Sequence, residues 1–316
     1  MSDDQVAKFD GKYDVVVYGT VCLDAIWRVE RLAPPGGWAP ILEEKKMIGG
    51  EASNTAVALS RWGLRVALVG NAIGDDEDGR LLRRLFARDA PEIEIDLRYI
   101  RTLPSAHTPY CVCIATPDGN RTMYGTGFDA MQCPTLTPEL AQKSRFFTMD
   151  PNAWDPGLRA AEAAFAAGML VTAMDYTRDA GVTGRAAINV TSRDHLGLDR
   201  SLDELAQTAA ALRDQCGQTV IATCGAEGCF VAERNVAGAA VHFPAYAAPE
   251  VVDTTGAGDI FRAGLLFGQV QAWDLPRTVR FAAAAAALNC TAMGGWGGVR
   301  SLSETLTFES TGSPPS

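Results

Sequence analysis

The feature that most restricts this chain is its rhythm. Short β-branched runs alternate with helix-length apolar patterns along most of its length. Tyr13 to Gly19, "YDVVVYG", reads as a buried strand closed by glycine, and "NTAVALSRW" from Asn54 reads as a helix stopped at Gly63. "RVALVG" is the next strand and "DEDGRLLRRLFARD" the next helix. The pattern continues through "FFTMD", "LRAAEAAFAAG", "MLVTAMD", "LDELAQTAAALRDQ" and "TVIATCG". Such strand–helix–strand units build an α/β fold with a doubly wound, mostly parallel sheet flanked by helices.

Two segments break the rhythm. Residues 28–47 contain "LAPPGGWAP", where proline and glycine stop helix formation. Residues 107–124, "HTPYCVCIATPDGNRTMY", read as a hairpin around Pro-Asp-Gly-Asn. Neither has a covering helix, so both are expected to form a small β-strand lid, inserted at about 28–48 and 107–124. No repeat or linker divides the chain, which is read as one domain over residues 1–316. The polar stretch 303–316 is expected to be a flexible tail.

Composition removes several function classes. A formal net charge of -10 argues against nonspecific binding to nucleic acid or an anionic membrane, though not against one anion held locally. Hydrophobic residues at 47% supply a sizeable core. The 8 cysteines include no C-x-x-C pair, and only 3 histidines are present, so a zinc site is not expected. Scattered thiols and an acidic first segment, "MSDDQVAKFD", give the expectation of a reduced, cytoplasmic protein without a signal peptide. "FAAAAAAL" is too short to span a bilayer.

The chemistry concentrates in "VVDTTGAGDIFRAG", Val251 to Gly264. The valines read as a strand end. Ala263, Leu266, Phe267 and Val270 recur at helical spacing, so Gly256, Ala257 and Gly258 fall at a helix N-terminus. There the first amides lack intrahelical partners and the helix dipole is positive, an arrangement suited to phosphate. Asp259 follows at once. In isolation it would be read as a helix cap. Beside a phosphate-binding turn it can instead accept the proton of a hydroxyl attacking a γ-phosphate.

The whole string "DTTGAGD" resembles the C-terminal signature of the ribokinase-like (PfkB) carbohydrate and nucleoside kinases, and no P-loop pattern is present. "GGEASNTAVALSRWG", "VVVYGTVCLDAI", "PDGNRTMY" and "IATCGAEGCF" resemble further family segments in family order, over roughly residues 13–300. The resemblance implies a ribokinase-like fold and ATP with Mg2+. It makes Asp259 the general base and the turn 256–258 the anion hole. It places Asp24, Gly50, Glu51 and Asn54 at the acceptor, although Asn54 could instead be a helix N-cap. It places Asn189, Thr223, Gly225, Gly228 and Asn289 at the nucleotide. It also raises a K+ site at Asp253 and Thr255, and a homodimer through the lid. The family's Asn-x-x-Glu is missing from "INVTSRDHLGL", where Asp194 is the nearest carboxylate.

Glu51 follows the glycine pair. A carboxylate at the pocket mouth would repel an anionic acceptor, so a small neutral sugar, a ketose or pentose, is expected. Arg121 could supply compensating charge. A nucleoside is the alternative, with Tyr110, Trp38 and Tyr124 as candidate stacking rings. A non-catalytic sugar- or nucleotide-binding relative is the third reading. Asp150, before Pro151, is read as a turn residue.

Overall fold

The structure is a computed structural model that describes residues 12–89, 94–117, 119, 121–197 and 200–312. Fifteen strands and ten helices follow in chain order among the described residues: β1 Val15–Gly19, β2 Cys22–Val29, β3 Ile41–Gly49, α1 Glu51–Arg61, β4 Val66–Gly70, β5 Ile73–Gly74, α2 Glu77–Asp89, β6 Ile95–Asp96, β7 Thr102–Leu103, β8 Tyr110–Ala115 and β9 Arg121–Thr126. Then come α3 Pro138–Ala141, β10 Phe146–Met149, α4 Trp154–Ala166, β11 Leu170–Met174, α5 Ala180–Thr183, β12 Ile188–Ser192, α6 Arg193–Leu196, α7 Leu202–Cys216 and β13 Thr219–Thr223. The last are β14 Cys229–Ala232, β15 Val241–Phe243, α8 Ala257–Val270, α9 Leu275–Asn289 and α10 Leu302–Thr311.

Nine strands form one sheet in the order β15-β14-β13-β12-β11-β10-β1-β4-β6. Pairing is parallel from β13 to β6 and antiparallel at β13/β14 and β14/β15. The strand "VVVYG" is buried at every position because helices cover both faces. Its side chains alternate: Val15 and Val17 join the core with Leu59, Leu266 and Phe281, while Val16 and Tyr18 join Phe147, Ala160 and Ala164 on the other side. The alanine run lies in α9, where it lets α8 come close; a Cβ at Gly264 would overlap Ala282. No helix among the described residues is long and apolar enough to cross a membrane.

A separate four-stranded sheet runs β3-β2-β8-β9. The hairpin is present, with Tyr110–Ala115 antiparallel to Arg121–Thr126; Asp118 and Asn120 of its turn lie outside the described residues. The sheet starts earlier than expected. β2 opens at Cys22, three residues after β1, so Asp24 sits within this sheet, level with Met47 and Cys111.

Two expectations fail. Residues 302–311 are a helix rather than a loose tail, capped reciprocally by Ser301 and Glu304; residues 313–316 lie outside the described residues. Val251 and Val252 end no strand. They lie in irregular chain, where the Val252 amide bonds the Cys290 carbonyl at the end of α9 and neither valine pairs with a strand.

Candidate active site

A cleft of about 1840 Å³ lies between the small sheet and the ends of the large one. The N-terminus of α8 opens into it. Gly256 is the N-cap with φ 73, and a Cβ there would overlap the Gly295 carbonyl, so the turn admits only glycine. Beneath it, Asp253 is fully engaged: Oδ1 accepts from the Thr255 amide (2.9 Å) and hydroxyl (2.7 Å), and Oδ2 accepts from the Gly294 amide (2.8 Å). Ala257 N–H is already drawn to the Thr254 carbonyl at 3.3 Å. The turn that presents Gly256 and Gly258 to the cleft is thus braced from below. From above, the hairpin rests on it, with Thr254 Oγ1 donating to the Gly119 carbonyl (2.8 Å) and Arg121 Nη1 donating to Thr254 Oγ1 (3.2 Å).

Asp259 lines the cleft in the first turn of α8 and is only 6% exposed. Its Oδ2 accepts from Asn54 Nδ2 at 2.8 Å. Asn54 is not the N-cap of α1, since Gly50, with φ 94, holds that place. The other amide atom of Asn54, Oδ1, is buried without a partner. Glu51, the first residue of α1, lines the cleft with its side chain two-thirds buried and accepts from Asn152 Nδ2 at 2.8 Å. Asp24 joins from β2, its carboxylate accepting from the Cys22 thiol at 3.1 Å. Asp150 is fully buried and outside the cleft. It caps the turn after β10 and accepts from the Thr20 amide and hydroxyl, which bears out the turn reading.

These acids share one electrostatic character. Burial pushes Asp259 up to about 6, against the nearby Arg262 guanidinium and the Asn54 bond. Burial pushes Asp24 up to about 7, opposed by the Cys22 bond and reinforced by the charges of Asp259 and Asp253. Glu51 is raised by burial and then by Asp259 and Asp150. A carboxylate poised near neutrality is suited to taking a proton.

The structure brings most of the expected residues to one cleft: Asp24, Gly50, Glu51, Asn54, Thr223, Gly225, Gly228, Thr255, Gly256, Ala257, Gly258 and Asp259 line it. Three do not. Asn189 lies on the other face of β12 and donates to the Thr183 carbonyl at 3.0 Å; Ser192, at the strand end, lines the cleft instead. Asn289 is fully buried, donating to the Thr255 and Gly295 carbonyls and accepting from the Gly298 amide. It splints the glycine turn from behind. Asp253, the strut described above, is the third. Tyr110, Trp38 and Tyr124 are also outside the cleft lining, whose aromatic members are Phe128, Trp154, Tyr246 and Phe261. Sequence reasoning missed Trp154, Asn152 and Arg262. A charged residue three places after Asp259, on an otherwise apolar helix face, was the available signal for Arg262.

The sequence pattern described as "pfkB family carbohydrate kinase" matches residues 12–171 and 184–299. The chain is similar to a nucleoside kinase of Methanothermobacter thermautotrophicus, 27% identical over 286 residues, covering 86% of this chain and 88% of the relative. It is 28% identical to an ATP-dependent ribose-1-phosphate kinase of Halopiger xanaduensis, covering 87% and 90%. Its fold matches that of Arabidopsis thaliana ribokinase complexed with ribose and ATP, with a TM-score of 0.78 at 20% identity, over 94% of this chain and 99% of that one.

Proposed function

The chain belongs to the pfkB family of carbohydrate kinases, phosphotransferases acting on a sugar or nucleoside, and from that premise we propose that it transfers the γ-phosphate of ATP to a hydroxyl of a small neutral sugar. The observation that carries the reading is Asp259, a buried carboxylate at the cleft and at the mouth of a helix N-terminus. The nucleotide's phosphates would meet the amides of the 256–258 turn, with Thr223, Gly225 and Gly228 along the nucleotide's side of the cleft. The acceptor would lie against Asp24, Glu51 and Asn54. Its hydroxyl proton passes to Asp259, the oxygen bonds the γ-phosphorus, and the bond to the β-phosphate oxygen breaks to release ADP. Asn54, by donating to Asp259, fixes which oxygen faces the acceptor. The small sheet serves as a lid that excludes water during transfer.

Among the described residues no group of three or more His, Cys, Asp or Glu could encircle a metal ion. A magnesium ion entering with ATP would therefore be held largely by phosphates and water, with Asp194 the carboxylate nearest the missing Glu. A K+ requirement stays part of the proposal through the region of Thr255. So does a homodimer through the lid, whose edge strand β3 exposes Ile41 and Leu42.

One observation favours a nucleoside as the second reading. Trp154 is 72% exposed, lines the cleft and is held at φ 47, a conformation that L side chains seldom adopt. An exposed indole there offers a face for a base. The test is ADP release from ATP–Mg2+ over a panel of sugars, nucleosides and ribose 1-phosphate, with and without K+, for wild type and Trp154→Ala. The sugar reading expects a ketose or pentose as best acceptor and little effect of the substitution. A nucleoside as best acceptor, weakened about tenfold or more by Trp154→Ala, establishes the second reading. Ribose 1-phosphate as best acceptor overturns the argument from Glu51.

A further inference from the structure

Arg262 is the largest fully buried side chain among the described residues. A guanidinium withdrawn from water is costly unless it is paired and hydrogen-bonded, so its presence beside Asp259 calls for a reason. Its donors are spent on two elements. Nε and Nη2 donate to Thr55 Oγ1 on α1 (3.2 and 2.8 Å), Nη2 also to the Glu51 carbonyl (2.9 Å), and Nη1 to the Met149 carbonyl at the end of β10 (3.2 Å). This leaves the charge between two cleft carboxylates: Nη2 is 3.4 Å from Asp259 Oδ1, and Nη1 is 3.8 Å from Glu51 Oε2.

We propose that Arg262 is a positioning residue for phosphoryl transfer: a buried counter-ion, locked by α1 and β10, that keeps Asp259 ionised to receive the acceptor's proton and shares that charge with Glu51. The proposal rests on Asp259 being the base. The surrounding charges make the need plain. Asp259 is faced by Glu51 from α1, Asp150 from the end of β10 and Asp24 from β2, all carboxylates, and by Arg121 from β9. Arg121 is committed to Thr254 at the turn, whereas Arg262 touches Asp259 itself. Burial of Asp259 favours its neutral form, which cannot take a proton, and Arg262 opposes that. The same guanidinium fixes the first turn of α1, so the charge, the base and the acceptor-facing Glu51 form one unit.

The test is the pH dependence of kcat/KM at saturating ATP for wild type, Arg262→Gln, Arg262→Lys and Glu51→Gln. An opposite charge at this range lowers a carboxylate pKa by about 1–3 units. The acid limb is therefore expected to move up by about that much in Arg262→Gln and to stay near wild type in Arg262→Lys. In Glu51→Gln it should move down, because a competing negative charge is gone. An acid limb unmoved in Arg262→Gln, with activity merely lower, reduces Arg262 to a structural pin and overturns the proposal. So does an equal displacement in the Gln and Lys variants. If Arg262→Gln does not fold, an unmoved limb in Glu51→Gln overturns it independently. Wild-type turnover by Asp259→Asn would sink the base reading itself, a result distinct from any of these.

Discussion

The two ends of the cleft are built from different materials. The end proposed for phosphate is backbone: glycine amides at the start of α8, splinted by the side chains of Asp253 and Asn289 from behind. The end proposed for the acceptor is side chain: Asp24, Glu51, Asn54 and Asp259, drawn from β2, α1 and α8, with Arg262 between Glu51 and Asp259 and Asn54 bonded to Asp259. A backbone site needs no basic side chain, which is how a chain of net charge -10 could offer a seat to a polyphosphate. The acceptor end gathers several carboxylates in one poorly solvated place, and their raised pKa values record the cost. The first end is proposed as a rigid seat for an anion. The second crowds carboxylates together at a cost to stability.

The largest stability effect expected from this contrast is at Asp24. Its folded pKa of about 7 stands above the ordinary carboxylate range near 4. Between those values the folded chain keeps a proton that the unfolded chain releases, so stability falls as pH rises through that window. Asp24→Asn removes the penalty. Its thermal stability should match wild type below about pH 4, gain steadily above it, and level off beyond about pH 7, at no more than roughly 4 kcal/mol. A pH-independent difference would show that Asp24 carries no buried-charge cost. The acceptor end would then be less unlike the phosphate end than the contrast requires.

A smaller effect is expected at the other end. Gly256→Ala places a Cβ against the Gly295 carbonyl at a positive φ. The strain should cost about 1–3 kcal/mol, seen as a lower Tm, and the displaced turn should weaken ATP in a direct binding measurement. Unchanged ATP affinity would mean that the turn is not the phosphate seat.

The same contrast explains what was legible in the sequence. The glycine turn could be found because backbone chemistry demands particular residues at consecutive positions. The parallel sheet could be found because β1, β4 and β10 are short apolar runs, a pattern that burial on both faces imposes. Arg262 could not be interpreted, since its partners Thr55, Met149 and Glu51 lie 113 to 211 residues away. Asn189 and Asn289 had the expected residue type, but type does not disclose which strand or helix face meets the cleft. The valines at 251 and 252 carried strand propensity but are paired with no strand. The tail was misjudged on polarity although "SLSE" holds a capping box, a local signal that outweighs composition at a helix start.

The most direct test of the central claim is ADP release by Asp259→Asn against wild type, with ATP affinity measured on the same preparations. The account predicts that acceptor-dependent kcat falls by a factor on the order of 10² to 10⁴ while ATP binds within a few-fold of wild type, because the Asp259 carboxylate would serve the acceptor's proton while backbone amides would seat the phosphates. Turnover equal to wild type, or a loss of activity matched by an equal loss of ATP affinity, would contradict it.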